Sequence, residues 1–134
     1  MFDLNTTTGA VTLSKGDTAS WDVELARVDG VAFTEDDRAV FSLYKEGTPV
    51  MERIYTLDND SDATLGNGVI RIELTNADTD QLDPGSYTWE IRVAINAYFD
   101  TAGRVISGDG VDTPGIDGSG NTMAFNLKPV QYNI

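Results

Sequence analysis

The chain contains no cysteine and no histidine, and these two absences remove most of the usual catalytic chemistry. Without thiols there are no disulfides, thiolate metal sites or cysteine nucleophiles, and the redox compartment stays open. Without imidazole there is no Ser-His-Asp triad, no ready general base near neutral pH and no ordinary zinc or copper site. Bases are scarce as well: 9 against 22 acids give a formal net charge of -13. Nucleic acid phosphates and anionic lipid should be repelled, and basic proteins or metal cations attracted. No apolar run approaches the ~18 residues of a membrane helix, and no basic-then-apolar N-terminus marks a secretion signal. The expectation is a soluble chain with neither nucleic acid nor membrane as partner.

What is present is alternation of period two. A length of 134 residues suits one domain, burying roughly 68 to 70 % of the surface its unfolded chain exposes. After a weak strand near Ala10 to Leu13, "DTASWDVELARV" sets Trp21, Val23 and Leu25 opposite Ser20, Asp22 and Glu24. "RAVFSLYKE", "GVIRIEL", "SYTWEIRVAIN" and "NTMAFNL" repeat the pattern, with Tyr87, Trp89, Ile91, Val93 and Ile95 on one face of the third of these. "VMERIYTL" mixes both faces and suits a sheet edge. Seven short strands with turns between them predict an all-β domain spanning residues 1–134, a seven-stranded immunoglobulin-like β-sandwich lettered A to G in chain order. Residues 1–9 form a short N-terminal arm of this domain.

The stretch "LTNADTDQLDPGSYTWEI", with three aspartates, reads as turn chemistry more readily than as a carboxylate site. Thr75 with Asp78 three residues on forms a capping box for one helical turn, and Pro84-Gly85 suits the centre of a type II turn with Asp83 before it. Tyr87 stands where immunoglobulin-type domains place a corner tyrosine whose hydroxyl returns to nearby backbone. Trp89, two residues on, fills the core position of the inter-sheet cysteine, and Trp21 and Trp89 both share faces with aliphatic residues, as core tryptophans do.

The pattern "SKGDTASWDVEL" followed by "ADTDQLDPGSYTWEIRV" resembles the immunoglobulin-like module of tailed-phage virion proteins, in particular the N-terminal domain of the phage baseplate upper protein family. Gly16, Asp17, Thr79, Leu82, Pro84, Gly85 and Tyr87 carry the resemblance, which covers residues 11–93 with a weaker match in the last strand. It implies a structural scaffold or attachment domain of a virion, with other virion proteins and further copies of itself as partners. Two departures stand out. The chain stops a few residues past its last expected strand, where family members often continue into further domains, and its final hairpin is greatly expanded.

That expansion, residues 97–120, forms a long acidic, glycine-rich F-G loop, far longer than the two to five residues usual in hairpins. A short hairpin through Arg104, Val105 and Ile106 should organise part of it, with Tyr98 and Phe99 at its base. In this topology the B-C, D-E and F-G loops share one end of the sandwich. That end would hold Asp29, Glu35, Asp36 and Asp37; Asp58, Asp60 and Asp62; and Asp100, Asp109, Asp112 and Asp117, half of all the acids.

So much like charge invites a counter-ion or a basic partner. Calcium is the natural cation for flexible carboxylates, and "DNDSDATLGNG" begins like an EF-hand loop before Ala63 and Val69 replace its glycine and bidentate glutamate. Asp58, Asp60, Asp62, Asp109, Asp112 and Asp117 are the candidate calcium ligands; Asp29, Glu35, Asp36, Asp37, Tyr98, Phe99 and Asp100 are the candidate partner-binding residues. No catalytic residue and no obligatory cofactor is expected. Three function classes follow: a non-enzymatic virion component in tail, baseplate, neck or capsid surface; an adhesion or carbohydrate-binding module using the clustered loops; and a carboxylate glycosidase, which would need two acids roughly 5 to 9 Å apart in a cleft. The first fits best. The segments "MFDLNTTTG" and "PVQYNI" could add strands to a neighbour's sheet.

Overall fold

A computed structural model describes residues 2–27, 29–60, 62–108, 110–112 and 123–129. The elements in chain order are β1 (Asp3–Leu4), β2 (Val11–Ser14), β3 (Ala19–Glu24), β4 (Arg38–Lys45), β5 (Thr48–Thr56), β6 (Val69–Leu74), α1 (Asn76–Asp80), β7 (Gly85–Ile95), β8 (Tyr98–Phe99), β9 (Val105–Ser107), β10 (Gly110–Asp112) and β11 (Met123–Lys128). The larger sheet runs β1-β2-β11-β7-β4-β5, and β3 pairs with β6 in a second sheet. Most neighbours are antiparallel; β2 and β11 pair in parallel, with Val11 beside Phe125.

Alternation works as the sequence suggests. In β3 and β6 the buried residues Trp21, Ile70, Ile72 and Leu74 face the larger sheet, and exposed Asp22 holds Arg71 on the outer side. From the larger sheet Val11, Leu13, Phe41, Leu43, Trp89, Ile91 and Phe125 meet them in one continuous core. Its centre is aromatic. Trp21 and Trp89 touch edge to face with centroids 5.4 Å apart, and Phe41 lies 6.1 Å from the first and 6.0 Å from the second. Such pairs add about 0.5 to 1.5 kcal/mol each beyond the area they bury. Trp89 also donates its indole N–H to the Gly9 carbonyl at 2.8 Å, which fixes the loop before β2. Phe2 stacks on Trp21 at 5.6 Å while Asp3 and Leu4 pair with β2. The N-terminal segment thus adds to its own sheet, and most of "PVQYNI" lies outside the described residues.

Several local expectations are met in detail. The Thr75 hydroxyl accepts from the Asp78 N–H at 3.1 Å and the Asp78 carboxylate accepts from the Thr75 N–H at 2.9 Å, a reciprocal capping box on α1. The Tyr87 hydroxyl donates to the Asp83 carbonyl at 2.6 Å. Tyr98 and Phe99 pair with residues of β9, forming the short hairpin expected inside the long loop.

Three expectations need correction. In the A-to-G order the fourth strand belongs beside the fifth, yet β5 is hairpin-paired with β4 along its whole length. The cause is the two-residue turn Glu46-Gly47, where φ values of 51° and 79° match the primed hairpin turn. Gly85 is not the third residue of a type II turn: with φ of 154° it already pairs with Leu127 as the first residue of β7. The long loop is not wholly irregular either. Besides β8 and β9, it contributes β10, which pairs with Val93 to Ile95 on the same edge of β7 that β11 pairs further down.

Candidate functional site

Strand directions bring three connections together at one end of the sandwich: residues 25–37, 57–68 and 96–104. Their contacts are specific. The Leu25 N–H donates to the Gly68 carbonyl and the Gly68 N–H to Leu57, both at 2.8 Å. The Asn67 side-chain amide bonds the N–H and carbonyl of Phe33, each at 3.0 Å. Gly68 sits at φ +83° with the Leu25 carbonyl oxygen only 2.2 Å from where a Cβ would lie, so no other residue fits. The Ala97 N–H reaches the Asp36 carbonyl at 2.9 Å, tying the third connection to the first.

Five of the described acids of this end, Asp29, Asp37, Asp58, Asp62 and Asp100, are spent on the loops themselves. Asp37, expected to face a partner, is fully buried: its two oxygens accept from the N–H groups of Thr34 at 2.8 Å and Asn96 at 3.0 Å. It is therefore scaffold. Asp29 accepts from the Val31 N–H and, through both oxygens, from Arg27, and these bonds hold its pKa below the ordinary carboxylate value. Asp100 does the same with the Arg104 N–H and then its guanidinium, again with a lowered pKa. Glu35 and Asp36 remain exposed at the surface. Beside them Tyr98 and Phe99 are 51 % and 44 % exposed, and the Arg38 guanidinium lies 5.6 Å from the Phe99 ring centroid.

Of the proposed calcium ligands, Asp58 accepts from the Asp60 N–H, and Asp62 accepts from the Thr64 hydroxyl at 2.6 Å and the Thr64 N–H, which lowers its pKa. Each of these carboxylates thus bonds within its own turn. Among the described residues no three acids gather as a metal-holding group. Asp112 lies in β10, paired with Val93; Asp109 and Asp117 lie outside the described residues.

A second feature lies between β5 and β6. It is a cleft of about 450 Å³, lined among others by Ile54, Tyr55, Asn59, Asp62, Arg71 and Glu73. Tyr55 is half-buried there, and burial raises its hydroxyl pKa. Further along, Arg53 of β5 crosses the gap to Asp78 of α1 at 2.7 Å. The mixed faces of "VMERIYTL" are the signal that could have located this cleft: Met51, Arg53 and Tyr55 turn inward at the edge of the sandwich, where polar ends can still reach water or a partner.

No protein-family model, curated protein or solved structure matches this chain. Among the described residues no helix is long and apolar enough to cross a membrane.

Proposed function

We propose that the chain is an immunoglobulin-like structural module of a bacteriophage virion, a component of tail, baseplate, neck or capsid surface that acts by protein-protein assembly and not by catalysis. The observation that carries this reading is the start of β7. Within the "DPGSY" stretch that resembles the phage module, the Tyr87 hydroxyl returns to Asp83 as a tyrosine corner does. The strand pairing supports it: β3 and β6 correspond to strands B and E, while β2, β11, β7, β4 and β5 correspond to A, G, F, C and the extra C′ strand of variable-type domains. Trp21 and Trp89 then stand at the two cysteine positions, with Phe41 in the place of the strand C tryptophan. Its partners are other virion proteins and further copies of itself.

Native mass spectrometry of the purified chain, with and without calcium, tests this. A closed symmetric oligomer is the expected result; a monomer that neither self-associates nor joins other virion proteins would count against it. A second reading, adhesion or carbohydrate binding, is favoured by the exposed Tyr98 and Phe99 at the loop end. It requires binding on a glycan panel that Tyr98→Ala or Phe99→Ala abolishes.

A further inference from the structure

Asn67 is the only asparagine of the chain that is followed by glycine, and that pair carries a chemistry of its own. The Gly68 main-chain nitrogen can attack the Asn67 side-chain carbon Cγ. A carbon-nitrogen bond forms, the Cγ–Nδ2 bond breaks, and ammonia leaves with the proton that the attacking nitrogen gives up. Water then opens the resulting succinimide ring at one carbonyl or the other, leaving aspartate or isoaspartate. Glycine makes the pair reactive because no Cβ shields its nitrogen or restricts the backbone that must close the ring.

Both reacting groups are restrained in the fold. The Gly68 nitrogen donates its hydrogen to the Leu57 carbonyl at 2.8 Å. The Asn67 carboxamide is held on Phe33 at both ends: Oδ1 accepts from the N–H and Nδ2 donates to the carbonyl, each at 3.0 Å. It is therefore not free to fold back onto Gly68. On the far side of the same peptide unit the Gly68 carbonyl accepts from the Leu25 N–H. Exclusion of water plays no part, since Asn67 is exposed. Hydrogen bonds alone stand between this pair and reaction.

We propose that Asn67-Gly68 is a deamidation site held shut by the fold: it reacts when the contacts to Leu25, Phe33 and Leu57 open, and once isoaspartate has formed they do not close again. Isoaspartate lengthens the main chain by a methylene immediately before Gly68, where the Leu25 carbonyl oxygen leaves no room for an added carbon. Either product also loses the N–H that the Phe33 carbonyl accepts and sets a carboxylate against it. The site goes beyond the assembly reading and is independent of it. It makes the joined loops at this end a record of past opening.

The test follows the full chain at mildly alkaline pH, folded and in urea, by peptide mapping for isoaspartate and for the mass gain of deamidation. Asp-Gly pairs isomerise without that gain, so it reports Asn67. The folded chain should modify Asn67 at least about tenfold more slowly than the unfolded one. The slowing should be no smaller than the hydrogen-exchange protection of the Gly68 amide, because the same bond to Leu57 guards the same nitrogen. Equal rates in folded and unfolded chains would overturn the proposal, as would a slowing much smaller than that protection. The chain carrying isoaspartate in place of Asn67, made in urea and refolded, should exchange its Leu25 and Gly68 amides about tenfold faster or more. Parent-like protection of both amides in that chain would sink the claim that the contacts stay open.

Discussion

Asp37 and Asp78 are one residue type in two structural roles, and each makes a prediction. Asp37 closes two loops with backbone bonds and no exposure, so Asp37→Asn should cost about 1 to 3 kcal/mol in chemical denaturation. Glu35→Gln and Asp36→Asn, at the exposed surface, should change stability by less than about 0.5 kcal/mol. Asp78 closes the capping box and holds Arg53; the Thr75 N–H first, then Arg53, keep its pKa below the ordinary 3.8. A carboxylate whose folded pKa is depressed stabilises fully above its unfolded value, and the contribution disappears as pH falls through the folded value. Thermal melts should therefore decline less steeply below about pH 4 in Asp78→Asn than in the parent, from a lower starting point. Thr75→Ala, which removes only the cap, should cost about 1 kcal/mol, a shift of roughly 3 to 6 °C in Tm.

At the scale of elements, two glycines with nearly equal φ separate backbone strain from collision. At Gly47, φ +79°, nothing lies within 4 Å of the place a Cβ would take, whereas at Gly68, φ +83°, the Leu25 carbonyl oxygen is 2.2 Å from it. Gly47→Ala should cost about 1 to 2 kcal/mol, and Gly68→Ala should cost more than that and disturb the Leu25 amide, as hydrogen exchange would show. The same elements mark what the sequence discloses. The capping box, the Tyr87 corner and the alternation of β3, β6 and β7 are local, governed by residues within a few positions of one another, and they are readable in advance. The partner of β5 is not, because a strand with two mixed faces suits either sheet; the Glu46-Gly47 turn decides it, without the Asn-Gly or Asp-Gly that usually announces such a hairpin. The burial of Asp37 is hidden for a similar reason: nothing in "TEDD" tells which carboxylate will fold inward, since its donors include Asn96, far along the chain.

For the whole molecule, the charge of -13 sets how it responds to salt. Self-repulsion should be relieved by screening, so raising sodium chloride from low ionic strength should increase Tm. Because no three of the described acids gather as a metal-holding group, calcium chloride at matched ionic strength should give the same increase; a larger one would reveal a calcium site. The aromatic centre carries a different consequence. Trp21, Phe41 and Trp89 clasp the two sheets with rings instead of sulfur, so reductants and oxidants have no covalent bond there to make or break. The domain can mature in one redox environment and serve in another without a change in its core.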